Sequence, residues 1–223
     1  SLISIIKNKS FKLTRTDLLN DKAEILFGDT EIHKQSYNMC FTGEKEYISM
    51  WAMYGKASGI KLRLDFPQEE FTRDITGDCF YENEFPKINY VKLWNVPQME
   101  AFSLLSVAYL DKESKTLKHN GGPFVNLKYT DYIEGSLTGY VKYDAWEFEK
   151  EIRLRTLYST GDRKQPKSIF LKINQNLINQ FHITFSPWLS KEMQDEIRKC
   201  LDSLAGSKLS YDESVHCGEI NEM

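Results

Sequence analysis

Two periodicities alternate along the first 66 residues, one typical of strands and the other typical of helices. Apolar residues at every second position predict strands, and apolar residues three or four positions apart predict helices. In order, the pattern predicts a helix at 2–9, strands at 11–15 and 37–42, a helix at 44–54 and a strand at 59–66. We expect the second helix to end at Gly55 with a positive φ.

The remainder of the chain alternates less regularly. Residues 97–118 and 124–143 have helical patterns, whereas 168–173 and 182–185 have strand patterns. Because helices and mostly antiparallel strands follow each other without a repeat, the sequence predicts an α+β fold and not a doubly wound sheet. We predict one domain over residues 1–205.

The last predicted helix has a clear start signal at Ser190, which we expect to be its N-cap. Its inward-facing residues are predicted to be Met193, Ile197 and Leu201. Residues 206–223 are polar and show no apolar period, so they are predicted to be a flexible tail.

The most unusual pattern lies between Lys142 and Arg155. From Trp146 onward the residues alternate as in a strand, with Phe148, Ile152 and Leu154 on one face. The other face carries two acids followed by two bases, namely Glu149, Glu151, Arg153 and Arg155. Two interpretations remain open: a solvent-facing ladder of ion pairs, or a cleft that holds a carboxylate pair with Trp146 as one wall.

The predicted helix at 44–54 is the second candidate for function. Trp51 and Tyr54 are three residues apart, so they share a helix face on which a planar ring could stack. The alternative is that both are core residues, and this alternative is the stronger one for Trp51. Thr42 and Ser49 are explained most simply as capping residues.

Composition narrows the possible functions. The chain has 223 residues, 41% of them hydrophobic and 13% aromatic, which is sufficient for a sizeable core. A formal charge of −3 gives no overall basic field that would favour nucleic acid. Four scattered cysteines and four histidines lack metal-ligand spacing, so we predict free thiols and no zinc site. No run approaches the ~20 apolar residues of a membrane span, and we expect a cytoplasmic protein.

Three short motifs occur in a fixed order: Leu19-Asn20-Asp21 with Glu24; Cys40-Phe41-Thr42 with Ser49-Met50-Trp51 and Tyr54; and Lys142 with Trp146 and Glu149-Lys150-Glu151-Ile152-Arg153. In this combination they resemble a widespread prokaryotic family catalogued as domain of unknown function 2971, over roughly residues 10–204. Thr42 stands where that family usually has serine, and Lys22 where it often has proline. The resemblance implies a further N-terminal strand upstream of Ser1.

The order of elements also resembles that of ADP-ribosyltransferases. This resemblance implies a mostly antiparallel split β-sandwich around a cleft for NAD, which is the substrate. It implies that Glu151 is the catalytic carboxylate and Glu149 its helper, as the Glu-x-Glu of a late strand. The residues that it implies for NAD binding are Tyr54, Trp51, Arg153, Thr42, Ser49 and Trp146, with Arg153 (or Arg155) on the pyrophosphate.

The chemistry implied by this resemblance is physically reasonable. Breaking the nicotinamide–ribose bond passes through an oxocarbenium-like state that a nearby carboxylate stabilises. The enzyme would transfer ADP-ribose to a macromolecular acceptor (protein or nucleic acid) or hydrolyse NAD, as a bacterial toxin or anti-phage effector. Two other functions remain open: a non-catalytic ligand-binding or sensor domain with a structural Glu/Arg ladder, and a metal-dependent nuclease that uses Asp144, Glu149 and Glu151.

Overall fold

The computed structural model describes residues 2–21, 30–43, 45–64, 75–81, 91–92, 103–111, 113, 116–119, 127–128, 139–158 and 165–217. The chain divides into two compact units, each built from separate segments, where the sequence predicted one domain. Unit 1 comprises Ser1–Phe11, Glu44–Thr76 and Lys172–Met223, and unit 2 comprises Lys12–Gly43 and Gly77–Leu171. Lys22 and Glu24 lie outside the described residues.

The α-helices of the described residues are short, except for the last. They are α1 (Leu2–Asn8), α2 (Thr30–Gln35), α3 (Ile48–Met50), α4 (Gln175–Asn179) and α5 (Lys191–Ala205). A π-helical turn at Trp51–Gly55 continues α3. Three further segments form 3-10 helices: Thr16–Leu18, Lys56–Ser58 and Asp144–Glu149.

The strands are numbered in chain order. They are β1 (Ser10–Arg15), β2 (Ser36–Phe41), β3 (Ile60–Leu64), β4 (Ile75–Tyr81), β5 (Val91–Lys92), β6 (Ser103–Ser106), β7 (Ala108–Leu110), β8 (Thr116–His119), β9 (Leu127–Lys128), β10 (Val141–Tyr143), β11 (Ile152–Leu157), β12 (Ser168–Ile173), β13 (Phe181–Phe185) and β14 (Ser210–Asp212).

The described strands form three sheets with largely antiparallel pairing, which agrees with an α+β fold. A seven-stranded sheet has the order β5-β4-β12-β1-β2-β11-β6 and lies mostly in unit 2. Unit 2 also contains a four-stranded sheet, β10-β7-β8-β9, and unit 1 a three-stranded sheet, β14-β13-β3. Parallel pairing occurs between β10 and β7 and between β13 and β14.

Six of the predicted elements are confirmed with small shifts at their ends. The helix at 2–9 corresponds to α1, and the strands predicted at 11–15, 37–42, 59–66, 168–173 and 182–185 correspond to β1, β2, β3, β12 and β13. These segments carry strict apolar alternation or end at clear breaks, so local pattern alone determined them.

In the core of unit 1, α1 contacts α5, and Phe181 of β13 packs against Phe11 at the start of β1. Phe181 is fully buried and its ring stacks 6.3 Å from that of Phe11. Ser190 caps α5 as predicted, because its hydroxyl accepts a hydrogen bond from the Met193 N–H. Leu201 is fully buried, but the expectation for Met193 is wrong, since its side chain is 49% exposed.

The turn after the π-helical segment differs from the prediction. Gly55 has a φ of −85°, and the positive φ belongs instead to Lys56, at 52°. A glycine is required nearby for another reason. A Cβ on Gly59 would lie only 2.2 Å from the Gly55 Cα, so the two backbones approach too closely for any side chain.

Part of the predicted flexible tail is ordered. Residues 210–212 form β14, which pairs in parallel with β13. Leu209 just before this strand is 3% exposed, and Ser214 after it is 5% exposed. β14 is short, polar and at the edge of its sheet. A search for apolar periods does not detect such a strand. Residues 218–223 lie outside the described part.

In unit 2, the helix predicted at 97–118 is wrong wherever the structure describes it. Residues 103–106 and 108–110 form β6 and β7, and 116–119 form β8. A short apolar run fits either a buried strand or a helix. Residues 103–106 form a strand because they pair with β11. The helix predicted at 124–143 is likewise replaced by β9 and β10.

The predicted strand from Trp146 begins later than expected. Residues 144–149 form a 3-10 helix, which ends at Lys150 in a left-handed conformation (φ 45°, ψ 47°). β11 then runs from Ile152 between β2 and β6. The charged face is therefore not solvent-facing: Arg153 and Arg155 are 0% and 8% exposed. Alternation alone did not show that this strand lies inside a sheet with both faces covered.

Candidate functional site

Four charged side chains of unit 2 come together around β11, and we call them the charge cluster: Lys142, Glu149, Glu151 and Arg153. Lys142 lies on β10, Glu149 ends the 3-10 helix, and Glu151 and Arg153 flank the first residue of β11. The left-handed turn at Lys150 separates the two glutamates and allows both to face the cluster. All four residues are at least nine-tenths buried, at 8%, 4%, 4% and 0% exposure respectively.

One ammonium group joins the two carboxylates of the cluster. The Lys142 Nζ lies 2.7 Å from Glu149 Oε2 and 2.9 Å from Glu151 Oε2. On the other side of Glu151, the Arg153 guanidinium forms a two-pronged pair, with Nε 2.7 Å from Oε1 and Nη2 3.1 Å from Oε2. Two negative charges thus meet two positive charges, which offsets the cost of removing them from water.

The surroundings of Glu151 keep it ionised. Burial raises the pKa of this carboxyl, but the charge and hydrogen bonds of Arg153 and the charge of Lys142 outweigh it. A hydrogen bond with the Cys40 side chain lowers the pKa further, and the result is a pKa of about 2. Cys40 is itself exposed, so the Glu151 carboxylate lies next to a residue in contact with solvent.

Two neutral groups fix the backbone on which the glutamates sit. The Tyr109 hydroxyl accepts a hydrogen bond from the Glu151 N–H at 2.8 Å, and burial raises the pKa of Tyr109 to about 12. The Thr42 hydroxyl donates to the Glu149 carbonyl oxygen at 2.5 Å. Thr42 was a predicted site residue, and the structure places it against Glu149 in a supporting position.

Trp146 also belongs to the surroundings of the cluster. Its ring lies 5.2 Å from the Lys142 Nζ, within the range of a cation–π contact, and 6.1 Å from the Phe148 ring. Trp146 therefore borders the ammonium that joins the two carboxylates. Trp146 is carried by a 3-10 helix and not by the strand that the sequence predicted.

The two arginines of β11 are held differently. The Arg153 guanidinium is fully enclosed, and besides its pair with Glu151 it donates from Nη1 to the Gly139 carbonyl oxygen at 2.7 Å. All three of its nitrogens thus donate to protein oxygens, which is not the arrangement expected of a residue that holds pyrophosphate. Arg155 donates from Nε to the Ser36 hydroxyl at 2.8 Å and stacks on the Tyr140 ring.

The predicted aromatic wall belongs to unit 1. Trp51 is 4% exposed and its Nε1 donates to Glu46 at 2.8 Å, so it is a core residue, which was the stronger alternative. Tyr54 is 54% exposed. Ser49 lies on α3 and is exposed, and Tyr47, which occupies the N-cap position, forms no side-chain capping hydrogen bond.

Three residues of the site were missed as functional candidates. Lys142 and Cys40 were quoted within the motifs but received no role, and Tyr109 was hidden inside a predicted helix. For Lys142, the signal in the sequence was its position seven residues before Glu149. That spacing alone does not predict a contact, because the contact depends on the 3-10 helix between the two residues. Tyr109 reaches Glu151 across 42 residues of sequence, a separation that no local pattern encodes.

The described residues give two further findings. They contain no group of three or more His, Cys, Asp or Glu side chains that could hold a metal ion, and Asp144 is half-buried at the start of its 3-10 helix. None of their helices is long and apolar enough to cross a bilayer. Comparisons of the chain with protein-family models, with curated proteins and with solved structures found no match.

Proposed function

We propose that the protein is an NAD-using enzyme similar to ADP-ribosyltransferases, with Glu151 as its catalytic carboxylate. The observation that carries the proposal is the pair of carboxylates that share the Lys142 ammonium, one of them with a pKa of about 2. A carboxylate that stays ionised can stabilise the positive charge that develops on the ribose as nicotinamide leaves. The reaction is ADP-ribose transfer to a protein or nucleic acid, or NAD hydrolysis.

The other residues of the cluster have roles that follow from their contacts. Glu149 lies on the same ammonium as Glu151 and would orient or deprotonate the acceptor. Arg153 holds the Glu151 carboxylate in place, and this role replaces the pyrophosphate contact expected from the sequence.

The biological setting is part of the same proposal. The resemblance of the three motifs to the prokaryotic family, and of the element order to ADP-ribosyltransferases, supports a bacterial toxin or anti-phage effector that acts in the cytoplasm. An ADP-ribosyltransferase-like split sandwich is the fold that we propose for it. The largely antiparallel pairing of the described sheets supports this fold.

The burial of the cluster supports a second function, a non-catalytic ligand-binding or sensor domain. In that case, the four residues form a structural network whose charges balance and whose carboxylates meet cations of the protein itself. Removing one partner of such a buried network is strongly destabilising, whether or not the network takes part in chemistry. This alternative requires no access of a substrate to Glu151.

An activity assay with a charge-conserving variant separates the two functions. Glu151→Asp keeps the negative charge for Lys142 and Arg153 but withdraws the carboxylate by one methylene. Wild-type protein is expected to release nicotinamide from NAD, and Glu151→Asp to release it ~100-fold more slowly, because a shift of about 1 Å has this cost in an active site. Glu147→Gln, on the same 3-10 helix but half-exposed and paired with Lys150, is the matched control.

Each outcome of this assay decides between the functions. Equal rates for wild type and Glu147→Gln, with a large loss in Glu151→Asp, support catalysis by Glu151. Intact NAD in the presence of folded wild-type protein, with candidate acceptors and without them, removes the enzymatic function and leaves the structural network. Nuclease activity abolished by EDTA would instead favour the metal-dependent alternative.

A further inference from the structure

Arg155 is a buried cation for which the described residues supply no acidic partner. The residue is 8% exposed, its Nε donates to the Ser36 hydroxyl at 2.8 Å, and its guanidinium carbon lies 4.8 Å from the centre of the Tyr140 ring. Within the part of the chain that the structure describes, no carboxylate forms an ion pair with it. Burying a charge is costly unless the charge is paired and hydrogen-bonded, and an anionic ligand would supply the missing counter-charge.

Arg153, two residues earlier on the same strand face, has more hydrogen-bond partners than Arg155 in the described part of the chain. Arg153 uses Nε, Nη1 and Nη2 on protein oxygens and faces the Glu151 carboxylate. For Arg155, Nε alone has a hydrogen-bond partner among the described residues. The two terminal nitrogens of Arg155 are the fork that commonly binds phosphate through two parallel hydrogen bonds.

A second buried polar group lies beside this fork. Asn38 on β2 is the register partner of Arg155, so both side chains lie on the same face of the sheet. Asn38 is 2% exposed and its Nδ2 donates to the Thr16 hydroxyl at 2.6 Å. Its Oδ1 accepts no hydrogen bond from the residues that the structure describes. The cost of such an unsatisfied acceptor falls when a ligand hydroxyl donates to it.

We propose that Arg155 and Asn38 form a binding site for a phosphorylated ligand that also carries a hydroxyl group, such as a sugar phosphate or a nucleotide. The Arg155 terminal nitrogens bind the phosphoryl oxygens, while Ser36 and Tyr140 hold the guanidinium in its plane. Asn38 Oδ1 accepts a hydrogen bond from the ligand hydroxyl. The assignment of the ligand to the pyrophosphate and ribose of NAD rests on the proposed function, whereas the anion site rests on these four residues alone.

The test is a titration with inorganic pyrophosphate, followed calorimetrically at constant ionic strength. Three proteins are compared: wild type, Arg155→Met and Arg15→Met. Arg15 is the matched control, because it is a guanidinium of the same unit whose charge is already paired with Asp17 at 2.6 Å. Wild type and Arg15→Met are expected to bind pyrophosphate equally, and Arg155→Met to bind it at least ~10-fold more weakly, as a charge-assisted pair is lost.

Equal binding by all three proteins, or no binding by wild type, would overturn the anion site. If Arg155→Met does not fold, Arg155→Lys decides instead, since it keeps the charge but not the fork. We expect it to weaken binding several-fold, and an unchanged Kd would overturn the proposal.

A competition experiment between NAD and pyrophosphate tests the anion site and the proposed enzymatic function separately. NAD is expected to displace pyrophosphate from wild-type protein. Binding of pyrophosphate through Arg155 without displacement by NAD keeps the anion site but removes NAD as its ligand. The converse result is that wild-type protein releases nicotinamide while Arg155→Met binds pyrophosphate as tightly as wild type does. This result overturns the anion site alone and leaves the proposed enzymatic function.

Discussion

The charge cluster predicts a large and pH-dependent loss of stability in Glu151→Gln. Glutamine keeps the shape of the side chain but removes the negative charge that faces Arg153 and Lys142. Arg153 is fully buried, and its guanidinium would lose the carboxylate that its Nε and Nη2 both contact. Removing one partner of a buried ion pair typically costs about 3–5 kcal/mol of unfolding free energy.

The pKa of Glu151 gives an independent value for the same effect. A fall from the ordinary 4.5 to about 2 corresponds to about 3 kcal/mol of stabilisation, at 1.36 kcal/mol for each pH unit. Because the pKa is lowered by folding, this stabilisation is fully present above pH 4.5. It is lost progressively as the pH falls from 4.5 towards 2, where Glu151 becomes protonated in the folded protein as well.

Urea denaturation followed by circular dichroism measures this difference. At pH 7 we expect Glu151→Gln to be about 3 kcal/mol less stable than wild type, and the gap to narrow as the pH falls below 4.5. Glu147→Gln serves as the control, since half-exposed pairs contribute at most about 1 kcal/mol. A gap below 1 kcal/mol at pH 7, or one that does not change with pH, would refute the reasoning.

Two further predictions concern side-chain charge and backbone packing. Lys142→Met should lower the unfolding free energy by about 3–5 kcal/mol, because it removes the ammonium that both buried carboxylates contact. Lys150→Met, which removes a 35% exposed lysine, should cost about 1 kcal/mol or less in the same urea assay, and similar losses for both would contradict the role of Lys142. Gly59→Ala should cost about 3 kcal/mol or more, because the new Cβ would overlap the Gly55 backbone, and a melting temperature within a degree of wild type would show that the two backbones are not in contact.

The sequence predicted those elements whose pattern is strictly local. β12 and β13 alternate clearly, and the Ser190 cap has its own signal, so all three were placed correctly. Residues 103–110 were predicted to be helical because a short apolar run fits both periods. The choice between helix and strand there depends on β11, whose residues lie more than 40 positions away in the chain.

The sequence identified most residues of the candidate site but did not predict how they are buried and paired. Glu149, Glu151, Arg153 and Trp146 were identified from one motif, and all four are part of the cluster or border it. The sequence did not show that the charged face of β11 is buried, nor that Arg153 pairs there with Glu151. Burial of a strand face depends on what covers it, and that information lies elsewhere in the chain.

The most direct measurement of the central claim is a crystal structure with a non-hydrolysable NAD analogue. We predict a hydroxyl of the nicotinamide ribose within hydrogen-bond distance, about 3 Å, of a Glu151 carboxylate oxygen. An analogue bound elsewhere, with Glu151 still in contact with Arg153, Lys142 and Cys40, would contradict the assignment of Glu151 as the catalytic carboxylate.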